Sequence, residues 1–392
     1  MLNPIFQHNT MKMLLPDPII SEIRRLPEEF QPCYLYDTTR IRLKCRTFMQ
    51  IPWALKSVHY ATMAGIHPAL LNIIREEGLH VFVNSLMHLE NVSEAGFRDQ
   101  EIVFTASAMT GEMMQGAGRH HVRINLDSPH QLAQWAALFP DKSAGIRCNI
   151  GDETHALKTR AGFFIGKESR LGFNHAEIEA MKGNRQINTL HLYPGTDILD
   201  PEYLMDCYRV LARYVPLFPR LSALNFGGGF GISENDGQVF PLEEYGLKVT
   251  RLMEQISEEA GRPLEMLLEP GRIITGESGY FVTRVTDVKI RPDVCFIGVN
   301  ASTAQFPRPL FYGDSAVHPV VVLRNGEIHS GRHTMNSTIY GCSTYSRDLF
   351  LLNRALPDTR PGDLIVFGNA GAYCAAACTR FLGFPQPEEL FL

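Results

Sequence analysis

The chain is short of the signals that mark metal-bound, disulfide-stapled or nucleic-acid-binding proteins. Its eight cysteines (Cys33, Cys45, Cys148, Cys207, Cys295, Cys342, Cys374, Cys378) are scattered through 392 residues with no CxxC pair and no histidine cluster at zinc spacing. Neither a disulfide framework nor a metal site is therefore indicated, and reduced, mostly buried thiols are expected. No Lys/Arg block interrupts a formal charge of -5 and a pI near 6.3. Without a basic field to concentrate nucleic acid or anionic lipid, the expected ligand is a small molecule, with no nucleic-acid and no membrane partner. No apolar run approaches membrane-spanning length. Pro4, Pro16 and Pro18 break the apolar N-terminal stretch, which lacks the continuous core of a signal peptide, so a cytoplasmic location is expected. No repeat of fixed period and no low-complexity linker is present.

What remains is a globular composition, 45% hydrophobic and 20% charged, on a chain long enough for two domains. From about Tyr34 to Ile274 short β-rich runs alternate with amphipathic helical stretches. Helix 67–78 precedes strand HVFVNS (80–85), a helix ending at Gly96 precedes strand EIVFTA (101–106), and helix 129–138 precedes strand GIRCNI (145–150). Strand TLHLYPG (189–195), strand SALNFGGGFG and strand PLEMLLEPGR (263–272) continue the series. Roughly eight such β/α units fit, the number that closes a barrel. From Tyr280 onward strands follow one another with few helical stretches between them. The expected fold is a (β/α)8 TIM-like barrel over 40–275 and a C-terminal all-β domain over 276–392. Residues 1–39 are expected to lend the strand CYLYD (33–37) to that second domain.

Two strand ends carry the chemistry. The run Gly227-Gly228-Gly229-Phe230-Gly231 follows an apolar strand; glycines there let backbone N–H groups approach a phosphate closely. Taken alone, the run reads equally well as a tight turn without a ligand. Glu269-Pro270-Gly271-Arg272 puts a carboxylate and a guanidinium within four residues at another strand end, an ion pair closing a loop being the bland alternative. Together they point to a phosphate-bearing ligand at the face where the βα loops converge.

Six landmarks in order, YLYD (34–37), YATMAGIHPALL (60–71), RLGF (170–173), GGGFG (227–231), EPGR (269–272) and GAYC (371–374), resemble the fold-type III pyridoxal 5'-phosphate (PLP) dependent decarboxylases acting on ornithine, diaminopimelate or arginine, with their alanine racemase-like barrel. The resemblance covers nearly the whole chain. It implies a PLP phosphate cradled by Gly227, Gly228, Gly229, Gly271 and Arg272 and reached by Tyr373, with Thr196 in the neighbouring loop. It also implies that Glu269 pairs with the pyridine nitrogen, that Arg147 lies in the pocket, and that Arg308 and Tyr312 hold a polar end of the substrate.

Departures from that pattern bear more on function. Where the family reads YAxKAN, with the lysine that holds the cofactor covalently, this chain reads Tyr60-Ala61-Thr62-Met63-Ala64-Gly65 without a gap on either side. A thioether forms no imine. Lys56, in WALKS, is the rescue candidate, but an extended chain from 56 to 63 would put it roughly 23 Å further down the barrel. The family's acidic neighbour of the lysine is Phe82, its SxGE segment is Ser85-Leu86-Met87-His88, and its ring-stacking histidine is Tyr193, itself able to stack. The cysteine that crosses from the partner subunit aligns with Thr344 and the adjacent acid with Tyr345; Cys342, two residues away, is a weak substitute. His67 reads as a helix cap.

These departures imply a degenerate member without Schiff-base chemistry that keeps a phosphate or PLP-type pocket at a dimer interface, paired with itself or with an active relative. The alternatives are a PLP-dependent decarboxylase of an amino-acid-derived, carrier-bound or siderophore-type substrate seen in a Lys-to-Met form, a repurposed enzyme using the same pocket, and a non-covalent PLP carrier.

Overall fold

The computed structural model describes residues 13–151, 162–232, 238–313, 316, 318–331 and 334–392. They form two compact units. One takes the described residues up to Ile41, Ile232, Gln238 and those from Thr275 to Leu392; the other takes those of Arg42–Gly231 and Val239–Ile274. Strands are numbered in chain order, and β1 (Cys33–Tyr36) belongs to the first unit.

The second unit is a closed parallel barrel of β2 (Lys56–Ala61), β3 (His80–Val83), β4 (Ile102–Thr105), β5 (Arg123–Leu126), β6 (Ala144–Arg147), β7 (Ile187–His191), β8 (Ala223–Asn225) and β9 (Glu265–Leu268). It closes where Lys56, Ser57 and Val58 of β2 pair with Met266, Leu267 and Leu268 of β9. Such strands are covered by helices outside and by one another inside, so they read as continuous apolar runs rather than alternating ones. Ile102, Val103 and Phe104 are wholly buried, and so are Met266 and Leu268. Each such side chain stabilises the fold by about 1.5–3 kcal/mol.

The intervening helices start where the sequence supplies a cap. Ser128 Oγ accepts the Gln131 N–H at 3.3 Å ahead of helix Pro129–Leu138. Asn174 and Glu177 exchange side-chain to backbone hydrogen bonds, a capping box for helix His175–Ala180. Pro68, Pro129 and Pro201 occupy first helical positions, where the missing N–H costs nothing. Replacing Ser128 by alanine would cost about 1 kcal/mol. His67 caps helix Pro68–Glu76 through its side chain and the Ala69 N–H.

The first unit is a nine-stranded sheet built from β1 and eight strands that follow the barrel. These are β10 (Gly279–Ile290), β11 (Cys295–Val299), β12 (Val320–Arg324), β13 (Glu327–Ile328), β14 (Thr334–Tyr340), β15 (Leu349–Pro357), β16 (Leu364–Phe367) and β17 (Glu388–Phe391). The path runs β13-β12-β16-β10-β11-β14-β15. Strand β1 lies between β10, antiparallel through Cys33↔Val282, and β17, parallel through Cys33↔Glu388. Phe281, Phe306, Phe350 and Phe367 pack ring on ring at its centre. Among the described residues no helix is long and apolar enough to cross a membrane.

The fold expected from sequence, a TIM-like barrel with a separate all-β domain, is the one observed. The barrel strands are shorter than the apolar runs that announced them. TLHLYPG stops being strand at His191, the Leu192 N–H to Asn225 O bond of 2.8 Å being the last it makes to β8. Strand β8 likewise ends at Asn225, before the glycines. Strand β2 ends at Ala61, and Thr62–Ala64 form a tight 3-10 turn rather than continuing extended to Met63.

Candidate ligand site at the barrel mouth

In a parallel barrel all strands point the same way, so whatever follows each strand's last residue collects at one mouth. Arg147 ends β6, Tyr193 follows β7 by two residues, Gly227 follows β8 by two, Glu269 directly follows β9, and Met63 follows β2 by two. Every site residue expected from the barrel segment, with Thr196, Gly228, Gly229, Gly271 and Arg272 in the same loops, therefore lies at that mouth.

The glycine run is demanded twice over. A Cβ added to Gly227 would meet Leu192 O at 2.2 Å, one on Gly228 would meet Glu269 O at 2.3 Å, and one on Gly229 would meet Gly195 O at 2.4 Å. Gly227 and Gly229 also hold φ of 63° and 98°. Close loop packing alone thus explains why these positions are glycine. Yet the N–H groups of Gly228, Gly229 and Phe230 have no acceptor among the described residues, whereas Gly227 N–H donates to Asn225 Oδ1 at 2.9 Å. Gly228 and Phe230 are buried. Buried backbone donors are almost always paired, so three successive amides without an acceptor are free to receive one from a ligand.

Glu269 is 5% exposed and held from two sides. Asn225 Nδ2 donates to its Oε1 at 2.6 Å, and His191 Nε2 lies 3.4 Å from its Oε2. Asn225, wholly buried, thereby ties the carboxylate to the first amide of the glycine run. Sequence reading missed Asn225 and His191; an amide and an imidazole ending neighbouring apolar strands were the available signal.

Tyr193 stands over the cradle, its Cε2 3.7 Å from a Cβ placed on Gly228. Phe164 meets its ring edge-on at 4.9 Å, and the Arg147 guanidinium lies 5.8 Å from its centroid. Arg147 Nε is also 3.9 Å from Asp127 Oδ1, the oxygen that accepts the Gly172 N–H at 3.0 Å. Burial lowers the Arg147 pKa, and Asp127 opposes that shift. Arg272 Nε lies 2.7 Å from Asp197 Oδ1, in the loop that follows Tyr193.

Met63 is 42% exposed on its turn. The turn is held by Ala61 N–H to Pro270 O at 3.0 Å and by Gly65 N–H to Thr62 O at 3.2 Å. Thr62 Oγ donates to Phe82 O at 2.9 Å and so accepts from His88 Nδ1, also at 2.9 Å. That assigns His88 an Nδ1–H tautomer, and burial lowers its pKa. Phe82 turns its ring onto Val103, Ala223 and Leu267 in the barrel interior. Lys56 begins β2 at the opposite end, its Nζ 3.5 Å from Trp53 O. Five extended steps of about 3.3 Å, roughly 16 Å, separate it from Ala61, after which Thr62–Ala64 turn instead of continuing the strand on which the separation from Met63 was reckoned.

The remaining expected residues belong to the β unit. Arg308 is 1% exposed and donates to His318 Nε2 at 3.2 Å, because His318 Nδ1–H is committed to Gly368 O at 2.8 Å. Its guanidinium lies 5.9 Å from the Tyr312 ring, on helix Arg308–Tyr312. Tyr373 takes φ 57°, a left-handed conformation that a bulky side chain adopts at a cost. Cys342 and Thr344 are exposed, and Tyr345 is half-buried with its ring edge-on to Phe381 at 5.3 Å. A residue not foreseen organises that loop. Asp348, 2% exposed, accepts from Ser302 Oγ, Thr303 N, Thr303 Oγ, Ser343 N and Ser343 Oγ.

An eight-stranded parallel barrel with unpaired amides and a clamped carboxylate after its strands defines a class, the (β/α)8 barrels whose functional groups gather at the C-terminal mouth. The comparisons narrow it. Residues 39–276 match the family model described as pyridoxal-dependent decarboxylase, pyridoxal binding domain, and with more than half its length matched the chain belongs to that family. It is 27% identical over 395 residues to the diaminopimelate decarboxylase of Escherichia coli (strain K12), covering 96% of this chain and 92% of that one. Against the diaminopimelate decarboxylase of Methanothermobacter thermautotrophicus it is 28% identical over 385 residues, covering 92% and 86%. A crystal structure of diaminopimelate decarboxylase superposes with a TM-score of 0.85 at 25% identity over 99% of this chain and 93% of that chain. Lysine/ornithine decarboxylase from Vibrio vulnificus, complexed with putrescine, shares the fold with a TM-score of 0.81 at 21% identity, covering 97% and 99%.

Proposed function

We propose that this family member binds the phosphate end of PLP or a related anion at the barrel mouth without holding it covalently, and that it does not decarboxylate amino acids. The observation that carries the reading is Met63, on the turn after β2 in the segment that aligns with the family's YAxKAN. The unpaired amides of Gly228, Gly229 and Phe230 suit a phosphate, and Glu269, clamped by Asn225, suits a pyridine nitrogen. PLP, when bound, supplies an electron sink for a developing carbanion. In this reading Glu269 orients the ring and accepts the hydrogen bond of a ring N–H, and Tyr193 covers its face. No amine at position 63 is available to hold the cofactor covalently, to exchange with a substrate amine or to carry a proton to and from the reacting carbon. Phe82, apolar where the family carries an acid, and Thr344 and Tyr345, replacing thiol and acid, agree with that loss.

A two-fold dimer, with a second copy or an active relative, is part of the proposal; the exposure of Cys342 and Thr344 in the single chain is consistent with a face that a partner covers. The test is equilibrium dialysis with PLP alongside a CO2-release assay on ornithine, lysine, arginine and diaminopimelate. Saturable binding, displaced by phosphate, with no CO2 from any of the four is expected. Decarboxylation at enzymic rates by the unaltered chain would overturn the reading.

A further inference from the structure

Arg147 brings a guanidinium to the barrel mouth whose N–H donors the protein leaves unused. Its side chain is 12% exposed, and among the described residues it makes no hydrogen bond. Asp127 Oδ1, 3.9 Å from its Nε, is beyond hydrogen-bonding range and is committed to the Gly172 N–H at 3.0 Å. None of the guanidinium nitrogens is sealed from solvent, so the unused donors are within reach of a ligand. The groups whose charge it feels include Asp127, Tyr193 and Glu269, which follow β5, β7 and β9. That company places the guanidinium inside the ring of strand ends. Tyr193 links it to the glycine loop, since the guanidinium lies 5.8 Å from that ring's centroid and the ring's Cε2 lies 3.7 Å from a Cβ placed on Gly228.

We infer that the Arg147 guanidinium is a carboxylate-binding site, and that the ligand of the barrel mouth is an aromatic phosphate monoester that also carries a carboxylate. The inference rests on the reading of Gly228–Phe230 as the phosphate site and adds the second acidic group. A planar guanidinium gives a carboxylate two parallel hydrogen bonds, a match of shape as well as charge. Charge favours a monoanion there over a second phosphate. Arg147 and the exposed Arg170 already face the carboxylates of Asp127 and Glu269, so two further negative charges would stand uncompensated. Position 63 lifts the competing demand on the ring. An aldehyde is needed there only to form an imine with an amine, and Met63 offers none, so a carboxylate in the aldehyde's place forfeits no bond to the protein.

The probes are 4-pyridoxic acid 5'-phosphate and pyridoxine 5'-phosphate, which share ring and phosphate and differ by a carboxylate against a hydroxymethyl group on one ring carbon. Both are titrated calorimetrically at constant ionic strength into the unaltered chain, Arg147→Gln and Arg147→Lys, with circular dichroism to confirm that each variant is folded. The unaltered chain should bind the carboxylate probe about tenfold more tightly than the alcohol. Arg147→Gln should lose that preference, and Arg147→Lys, which keeps the charge without the planar fork, should keep part of it. Equal affinities for the two probes in the unaltered chain, or a preference for the alcohol, would overturn the inference and leave the phosphate reading standing. A preference undiminished in a folded Arg147→Gln or Arg147→Lys would overturn the assignment to Arg147. Binding of neither probe by the unaltered chain would overturn the phosphate reading and this inference with it.

Discussion

Replacing Gly228 by alanine tests whether the loops at the barrel mouth are as closely laced as described. The new Cβ would lie 2.3 Å from Glu269 O and 3.2 Å from its carbonyl carbon. The first contact is roughly 1 Å inside ordinary van der Waals range, and the obstacle is backbone, which cannot rotate away. The segment after β8 must therefore move off the end of β9, loosening the neighbouring Glu269 N–H to Gly227 O bond of 2.7 Å. Overpacking of this kind costs about 1–3 kcal/mol, and a weakened buried hydrogen bond adds about 1 kcal/mol. The barrel should survive such a loss, whereas three amides displaced by about 1 Å would no longer converge on one anion. Urea unfolding followed by circular dichroism gives the first quantity, and phosphate titration gives the second. A Gly228→Ala chain with an unfolding free energy within about 0.5 kcal/mol of the original, and with unchanged phosphate affinity, would refute both the close approach and the receptor.

Two further predictions test the β unit and the barrel floor. Asp348→Asn puts an amide donor among five donors, which should cost about 2–3 kcal/mol in urea unfolding. Burial, and after it the Asp348 charge, raises the pKa of the exposed Cys342 thiol. Alkylation of Cys342 in the variant should therefore follow a pH profile displaced to lower pH; an unshifted profile would contradict the account. His59, wholly buried, lies 3.0 Å from Ser57 Oγ through Nε2 and 3.3 Å from Val81 O through Nδ1. Burial first, then the nearby His80 and Arg123, hold its pKa well below the usual imidazole value of 6.5. The unfolded chain then binds the extra proton, so this stability is fully present only well above pH 6.5 and is lost as pH falls, by about 1 kcal/mol between pH 6.5 and 5.5 from this group alone. Burial lowers the His80 pKa as well, so its contribution has the same sign. Urea unfolding at pH 7.5, 6.5 and 5.5 reads the slope, and stability that holds or rises toward pH 5.5 would contradict the burial of His59.

The barrel was legible because its signal is local. Apolar runs such as IVFT and EMLL are strands buried on both faces, and Ser128, Asn174 and three prolines mark where helices begin. Strand ends were less legible, because TLHLYPG and SALNFGGGFG keep an apolar or extended character past the last ladder bond. The site divides the same way. Glu269 and the glycine run announce themselves at strand ends, but the run alone did not distinguish a tight turn from a receptor. Among the described residues the run meets carbonyls that forbid a Cβ and has amides left without acceptors, and the sequence announces neither. Asn225, Asp197 and Asp348 were missed because each acts through partners far along the chain, Glu269, Arg272 and Ser302 respectively, and no spacing in the sequence records such a meeting. His88 drew notice only as a departure, since its bond to Thr62 beside Met63 depends on how β3 and the following helix bring it back to the end of β2.

The most direct test of the central claim is reductive trapping. The chain and a Met63→Lys variant are incubated with equimolar PLP, reduced with borohydride, digested and mapped by mass spectrometry. Met63 is exposed on its turn, so a lysine is accommodated without repacking. The account predicts no stoichiometric pyridoxyl adduct on the unaltered chain and one adduct per chain, at residue 63, on the variant. A stoichiometric adduct on any lysine of the unaltered chain would contradict it.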